Sequence, residues 1–247
     1  MILAAALDLD GTIIGPGEKI STTVQEAIAR LAGHIPVFIA TGREPADVLR
    51  YAKELGLTTP QLCDGGANIL DPVRGVSVWT APMGPANAEA VITRLREMGS
   101  AFVATHESGT ASTFDDVPNW DLIRVSALDL NEETADDLAE SFQGNKSMHV
   151  IKAVLPYNGL WAVDFTLAGV DKATGVFRVG KTLGVEPANM VAAGDSYNDL
   201  PMLEACGFSI AMGNAPEEVR AVAGFVAPTV EEDGLAVAIN DYVLPQL

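Results

Sequence analysis

The residues best suited to chemistry lie in three short polar clusters, each following an apolar run. Asp8-Leu9-Asp10-Gly11-Thr12 follows residues 2–7, Thr41-Gly42-Arg43 follows residues 35–40, and Gly194-Asp195-Ser196-Tyr197-Asn198-Asp199 follows residues 190–193. Short runs rich in Val, Ile and Ala read as strands buried on both faces of a parallel sheet. Ligands of open parallel sheets bind beyond the carboxyl ends of the strands, so clusters distant in sequence meet in one crevice. Asp8, Asp10, Asp195 and Asp199 would then crowd together, and without a cation their repulsion would raise some of their pKa values and cost stability. Oxygen donors this hard call for Mg²⁺, which takes few protein ligands and keeps room in its shell for water and phosphate. Two partnerless aspartates at a buried strand end are costly, which favours a functional pair at Asp8 and Asp10 over a structural one. Taken singly, Thr41 and Asn198 read as turn or cap residues, Lys172 as solvated, and Gly42, Gly65, Gly66 and Gly194 as turn formers. Arg43 suits the surface before a helix as readily as a substrate contact.

The elements that must position these clusters alternate strand and helix. Ser21 is placed to cap a helix running to about residue 31, and Pro45 opens the next helix at its first turn. The rhythm resumes with a helix at 171–183, a strand at 190–193, a helix at 198–205, a strand at 208–211 and a helix from Pro216. Between 82 and 164 it changes. Helical periodicity at 86–98, strands at 101–105 and 110–114, a helix at 132–142 and strands at 148–155 and 160–166 give the order α-β-β-α-β-β. The last two strands are joined by a turn at Pro156-Tyr157-Asn158-Gly159. We expect a small α+β domain of two similar α-β-β halves at 82–164, inserted into a doubly wound α/β domain formed by residues 1–81 and 165–247.

The chain has 247 residues, enough for a substantial core, and a net charge of −18 that opposes lasting contact with nucleic acid or an anionic bilayer. Charge cannot name the substrate, and nothing in the sequence sets an oligomeric state. A phosphorylated substrate would meet repulsion unless the site holds local positive charge from a metal, a lysine, an arginine or helix N-termini. The two cysteines, Cys63 and Cys206, are far apart and lack a C-x-x-C spacing, which reads as buried thiols in a reducing compartment. The first apolar run has no basic residues before it and leads into Asp8, unlike a signal peptide or a membrane span, so a soluble cytoplasmic protein is expected. An EF-hand loop opening at Asp8 would need glycine and glutamate where Ile13 and Lys19 stand. A receiver domain would be about half this length and would carry its aspartate after a middle strand, where Thr41 falls.

Taken together, D-L-D-G-T at Asp8 to Thr12, A-T-G-R at Ala40 to Arg43, Lys172 in V-D-K-A-T-G, and G-D-S-Y-N-D-L-P-M-L at Gly194 to Leu203 resemble the haloacid dehalogenase superfamily. Their order and spacing resemble its Cof-type phosphatases, and the compact insert resembles that of archaeal phosphoglycolate phosphatases. The resemblance implies a magnesium-dependent phosphomonoesterase acting on a small phosphorylated metabolite, such as a sugar phosphate or phosphoglycolate. It implies that Asp8 is the nucleophile, that Asp10 is the acid and base, and that Thr41 and Lys172 hold the phosphoryl group. Asp195 would hold Mg²⁺ with Asp8 and the Asp10 carbonyl, Leu9, Gly42, Arg43 and Asn198 would border the phosphate or substrate, and Asp199 would orient Lys172 or a metal-bound water. One departure is Asp64-Gly65-Gly66-Ala67, where the family commonly has Asn-Gly-Ala; Asp64 or Asn68 is then left to supply the missing side chain. In the insert, His106, Arg124, Lys146, His149 and Lys152 are candidate specificity contacts. A phosphomutase resembling phosphomannomutase, or a non-catalytic metal and phosphate binding module, remains the alternative.

Overall fold

The computed structural model describes residues 1–155 and 158–247. In chain order it contains β1 (Ala4–Leu7), α1 (Thr22–Ala32), β2 (Val37–Ile39), α2 (Pro45–Glu54), β3 (Gln61–Cys63), β4 (Asn68–Asp71) and β5 (Val76–Thr80). There follow α3 (Pro85–Met98), β6 (Phe102–His106), β7 (Gly109–Ala111), β8 (Leu122–Leu130), α4 (Glu132–Phe142), β9 (Met148–Val154) and β10 (Trp161–Leu167). The chain ends with α5 (Lys172–Leu183), β11 (Met190–Gly194), α6 (Leu200–Ala205), β12 (Phe208–Ala211), α7 (Glu217–Val222), β13 (Phe225–Val226) and α8 (Gly234–Ala238). Two compact units result: Met1–Val78 with Asp171–Leu247, and Trp79–Val170.

The first unit is built on a parallel sheet in the order β13-β12-β11-β1-β2. Its register decides where the chemistry falls. Leu7 pairs with both Ala193 and Ile39, so Asp8, Thr41 and Asp195 leave the sheet at the same edge. β1 is the fully buried tetrapeptide Ala-Ala-Ala-Leu. α1 buries Val24, Ala27, Ile28 and Leu31, one helical stripe, and the Ser21 side chain accepts the Val24 N–H at 3.1 Å as its N-cap. β3 reaches the sheet through a parallel bridge between Ala40 and Leu62, and it also opens a separate sheet in the order β3-β4-β5. The strands β4 and β5 lie where the sequence suggested no element. Both are short: β4 is buried at Asn68, Ile69 and Leu70 but has only two adjacent apolar residues, and β5 exposes Val76 and Val78, so neither shows the longer apolar run that identified the core strands. Cys63 and Cys206 are buried thiols that form no disulfide among the described residues, and burial pushes the Cys206 thiol up to about 12.

The second unit carries an antiparallel sheet in the order β7-β6-β8-β10-β9, with α3 and α4 contributing to its apolar core. The strand expected at 110–114 is only a three-residue edge, β7, ending at Ala111. The central partner is instead β8, nine residues long, which the sequence reading did not find. Arg124 and Ser126 interrupt its apolar run, and both are nevertheless buried, Arg124 with a 2.9 Å ion pair to Asp164 of β10. With β8 in place the two halves correspond: α3-β6-β8 and α4-β9-β10 each put their second strand at the centre, where β8 and β10 pair antiparallel. The turn expected at 156–159 lies partly outside the described residues. No helix among them is long and apolar enough to cross a membrane.

Phe165 of β10 is fully buried, with its ring edge-on to Phe142 of α4 at 5.2 Å. Phe165→Ala should therefore lower stability by about 3–5 kcal/mol, the usual cost of deleting a buried aromatic ring, measured by urea unfolding. A loss below about 1 kcal/mol would show that this ring does not anchor the sheet to α4.

Candidate active site

Asp8 directly follows β1, with its N–H bonded to the Ala193 carbonyl at 2.9 Å. Lys172 opens α5, whose N-cap Asp171 accepts the Thr174 N–H while Thr174 Oγ1 accepts the Asp171 N–H, a reciprocal pair that fixes the start of the helix. That start is brought close by Gly66, at φ +106°, where a Cβ would lie 2.0 Å from the Asp171 carbonyl oxygen. Lys172 is 2% exposed, and its Nζ donates to Asp8 Oδ1 and to Asp199 Oδ1, both at 2.6 Å. The second oxygen of Asp199 accepts the N–H groups of Asp195 and Ser196, each at 3.0 Å. Asp199 is thereby saturated and holds Lys172 against Asp8.

Burial pushes the Asp8 carboxyl well above its ordinary range, reinforced by Asp199 and only partly countered by Lys172. Burial, followed by Asp199, pushes Asp195 up to about 7. For Lys172 burial alone would lower the pKa, but Asp199 and Asp8 outweigh it and hold the ammonium above its usual value. Ligand oxygens of Asp8, Asp195 and Asp199 lie within 4.8 Å of one another. Both Asp199 oxygens are taken, whereas Asp8 Oδ2 and Asp195 Oδ1 accept no hydrogen bond among the described residues. Two neighbouring carboxylates whose negative form is destabilised, each with an oxygen left over, suit a hard divalent cation, which relieves their repulsion.

Asp10 faces a different partner. Its two oxygens accept Arg43 Nε at 2.8 Å and Nη2 at 2.7 Å, and Arg43 also bonds Glu18 and Asp47. Arg43 therefore clamps Asp10, a role that the sequence reading missed because it depends on the β1 and β2 loops lying side by side. Thr41 is buried, its Oγ1 accepting the Arg43 N–H at 3.2 Å and its carbonyl accepting Gly65 N–H at 3.0 Å, with Gly42 between Thr41 and Arg43. The Leu9 side chain belongs to the core, and its carbonyl accepts the N–H groups of Ile13 and Ile14. Asn198 accepts Ser196 Oγ at 2.7 Å, whereas Asp199, the residue expected to orient Lys172 or a metal-bound water, reaches the lysine. At the departure from the family pattern, Asn68 Nδ2 donates to buried Asp64 at 3.1 Å, and buried Asn68 Oδ1 has no partner among the described residues. Asn214, also missed, bonds Asp195.

In the second unit, Lys152 pairs with Asp136 and lies over the Trp161 ring, His149 Nδ1 meets the Val170 carbonyl at 3.0 Å, and His106 Nδ1 accepts the Ser108 N–H. Lys146 is exposed.

The haloacid dehalogenase-like hydrolase family matches this chain over residues 5–122 and 109–239. A 5-amino-6-(5-phospho-D-ribitylamino)uracil phosphatase of Bacillus subtilis is 28% identical, with 96% of each chain covered. A phosphoglycolate phosphatase of Natronomonas pharaonis is 29% identical over 97% of each chain. A solved haloacid dehalogenase-like hydrolase from B. subtilis superposes with a TM-score of 0.85 at 20% identity, covering 98% of this chain and all of the other, a likeness of fold.

The raised pKa of Asp195 sets a pH dependence. Its folded value of about 7 lies above the ordinary carboxylate value near 4, so its protonated form favours folding. That contribution is complete below about pH 4 and is lost as pH rises through about 7. In chelator, part of the fall in melting temperature between about pH 5.5 and about pH 8 should therefore vanish in Asp195→Asn, and an unchanged fall would contradict the assignment.

Proposed function

The chain belongs to the haloacid dehalogenase-like hydrolases, and we propose that it is a Mg²⁺-dependent phosphatase that cleaves a small phosphomonoester through an aspartyl-phosphate at Asp8. The observation that carries this reading is the buried Lys172 ammonium shared between Asp8 and Asp199. Pure anion binding does not need a carboxylate at that point, whereas nucleophilic attack does.

In the proposed reaction a carboxylate oxygen of Asp8 attacks phosphorus, the ester oxygen departs as the alcohol with a proton from Asp10, and water then attacks the phosphorus of the acyl phosphate while Asp10 takes a proton from that water. The bond between Asp8 and phosphorus breaks, which regenerates Asp8 and releases inorganic phosphate. Lys172 lies against Asp8 and neutralises charge on the phosphoryl oxygens, and Thr41, whose oxygen already accepts the Arg43 N–H, has its hydroxyl proton left to donate to one of them. Arg43 bonds both Asp10 oxygens, so the clamp sets where its carboxylate starts and leaves a second lone pair on each oxygen to carry the proton. Bound by Asp8, Asp195 and the Asp10 carbonyl, Mg²⁺ would supply positive charge that offsets the phosphoryl group.

The two relatives named act on a ribitylaminouracil phosphate and on phosphoglycolate, both small phosphorylated metabolites, which supports that class for this chain. The second unit is the proposed source of selectivity among them, because none of the proposed catalytic residues lies within it.

A panel of phosphorylated metabolites tests the proposal by release of inorganic phosphate. Release should require Mg²⁺ and stop in chelator, and full turnover in chelator would contradict it. Asp10→Asn should slow turnover by roughly 10²–10⁴-fold, the span of general acid-base catalysis, and should affect alkyl phosphates more than aryl phosphates because aryl leaving groups need little protonation.

A further inference from the structure

Asn214 lies on the loop after β12, outside every cluster that the sequence singled out. Its Nδ2 donates to Asp195 Oδ2 at 2.8 Å and to the Gly11 carbonyl at 3.0 Å, and its Oδ1 accepts the Val230 N–H at 3.0 Å. One amide thus joins the loops after β1, β11 and β12 to the turn before α8. That turn is itself fixed, since the Thr229 N–H and hydroxyl both bond Glu232 and Gly213 N–H bonds the Pro228 carbonyl. From the other side, Gly11 at φ +76° leaves open the space where a Cβ would lie 2.0 Å from Asp195 Oδ2. The oxygen is enclosed between the Gly11 backbone and the Asn214 amide.

We propose that Asn214 is a positioning residue for the cation site: by holding Asp195 Oδ2 it presents Oδ1 alone, making Asp195 a one-oxygen ligand. This rests on the metal-dependent reading above. The consequence is selectivity as well as affinity. Mg²⁺ is small and demands near-octahedral geometry, whereas Ca²⁺ accepts more oxygens and two-oxygen carboxylates. A carboxylate whose second oxygen is held by an amide serves the first ion better than the second. The amide is neutral, so it fixes the carboxylate without reducing the negative charge that attracts the metal.

Titration calorimetry of the full chain with Mg²⁺ and with Ca²⁺ tests this on wild type, Asn214→Ala and Asn214→Ser, with melting in chelator recorded alongside. Mg²⁺ should bind about 10–100-fold more weakly to Asn214→Ala, the usual effect of losing a group that orients a ligand, and Ca²⁺ should weaken less, so the preference for Mg²⁺ falls. Should Asn214→Ala fail to fold, Asn214→Ser is judged by the same change in Mg²⁺ affinity and in preference, since its hydroxyl is too short to hold all three partners. A folded variant with wild-type Mg²⁺ affinity and preference, even one with a lowered melting temperature, overturns the proposal and leaves Asn214 a loop brace. Wild type that binds no Mg²⁺ overturns the metal-dependent reading itself.

Discussion

An ammonium enclosed between two carboxylates at the end of a parallel sheet is the interaction on which the rest of this site depends. Lys172 is costly to bury unless both Asp8 and Asp199 are in place, and each of those carboxylates is costly without it. Breaking a buried pair by removing one partner typically costs about 3–5 kcal/mol, so the three residues stand or fall together. Their meeting imposes demands on distant segments. β1 must end level with β11, α5 must start against the Gly66 turn, and the 3-10 turn at Tyr197–Asp199 must aim one carboxylate inward.

The network leaves an imbalance that a ligand can use. Lys172 supplies one positive charge against Asp8, Asp195 and Asp199, and burial first, then Asp199, displaces the carboxyls of Asp8 and Asp195 upward. A cation and a phosphoryl group together complete the charge pattern better than either alone, because the cation offsets the carboxylates and the phosphoryl oxygens meet Lys172. Asp10 pairs with Arg43 and Asp8 with Lys172, so two aspartates separated by a single residue have different partners and take different proposed roles. Environment separates them where residue type cannot.

The sequence made the core strands and the meeting of Asp8, Thr41 and Asp195 legible, because buried parallel strands are continuous apolar runs and polar residues at their ends are conspicuous. It concealed β8, since Arg124 and Ser126 look solvent-facing until the Asp164 ion pair is known. It concealed the Arg43 clamp and Asn214 for a related reason. Both are hydrogen-bonding side chains on loops, and their partners, Asp10 at 33 residues' separation and Asp195 at 19, are chosen by loop packing that no local pattern encodes. Asp199 was expected to orient Lys172 or a metal-bound water, and it does bond the lysine; what the sequence did not show is that its second oxygen is occupied by two backbone N–H groups.

The central claim is that phosphate passes through the Asp8 carboxylate, and a single-turnover reaction quenched in acid tests it most directly. With a substrate in hand, mass spectrometry of the peptide containing Asp8 and Asp10 should place a phosphoryl group on Asp8 in wild type, and none should form in Asp8→Asn. Phosphate found on Asp10, or turnover retained by Asp8→Asn, would contradict the account.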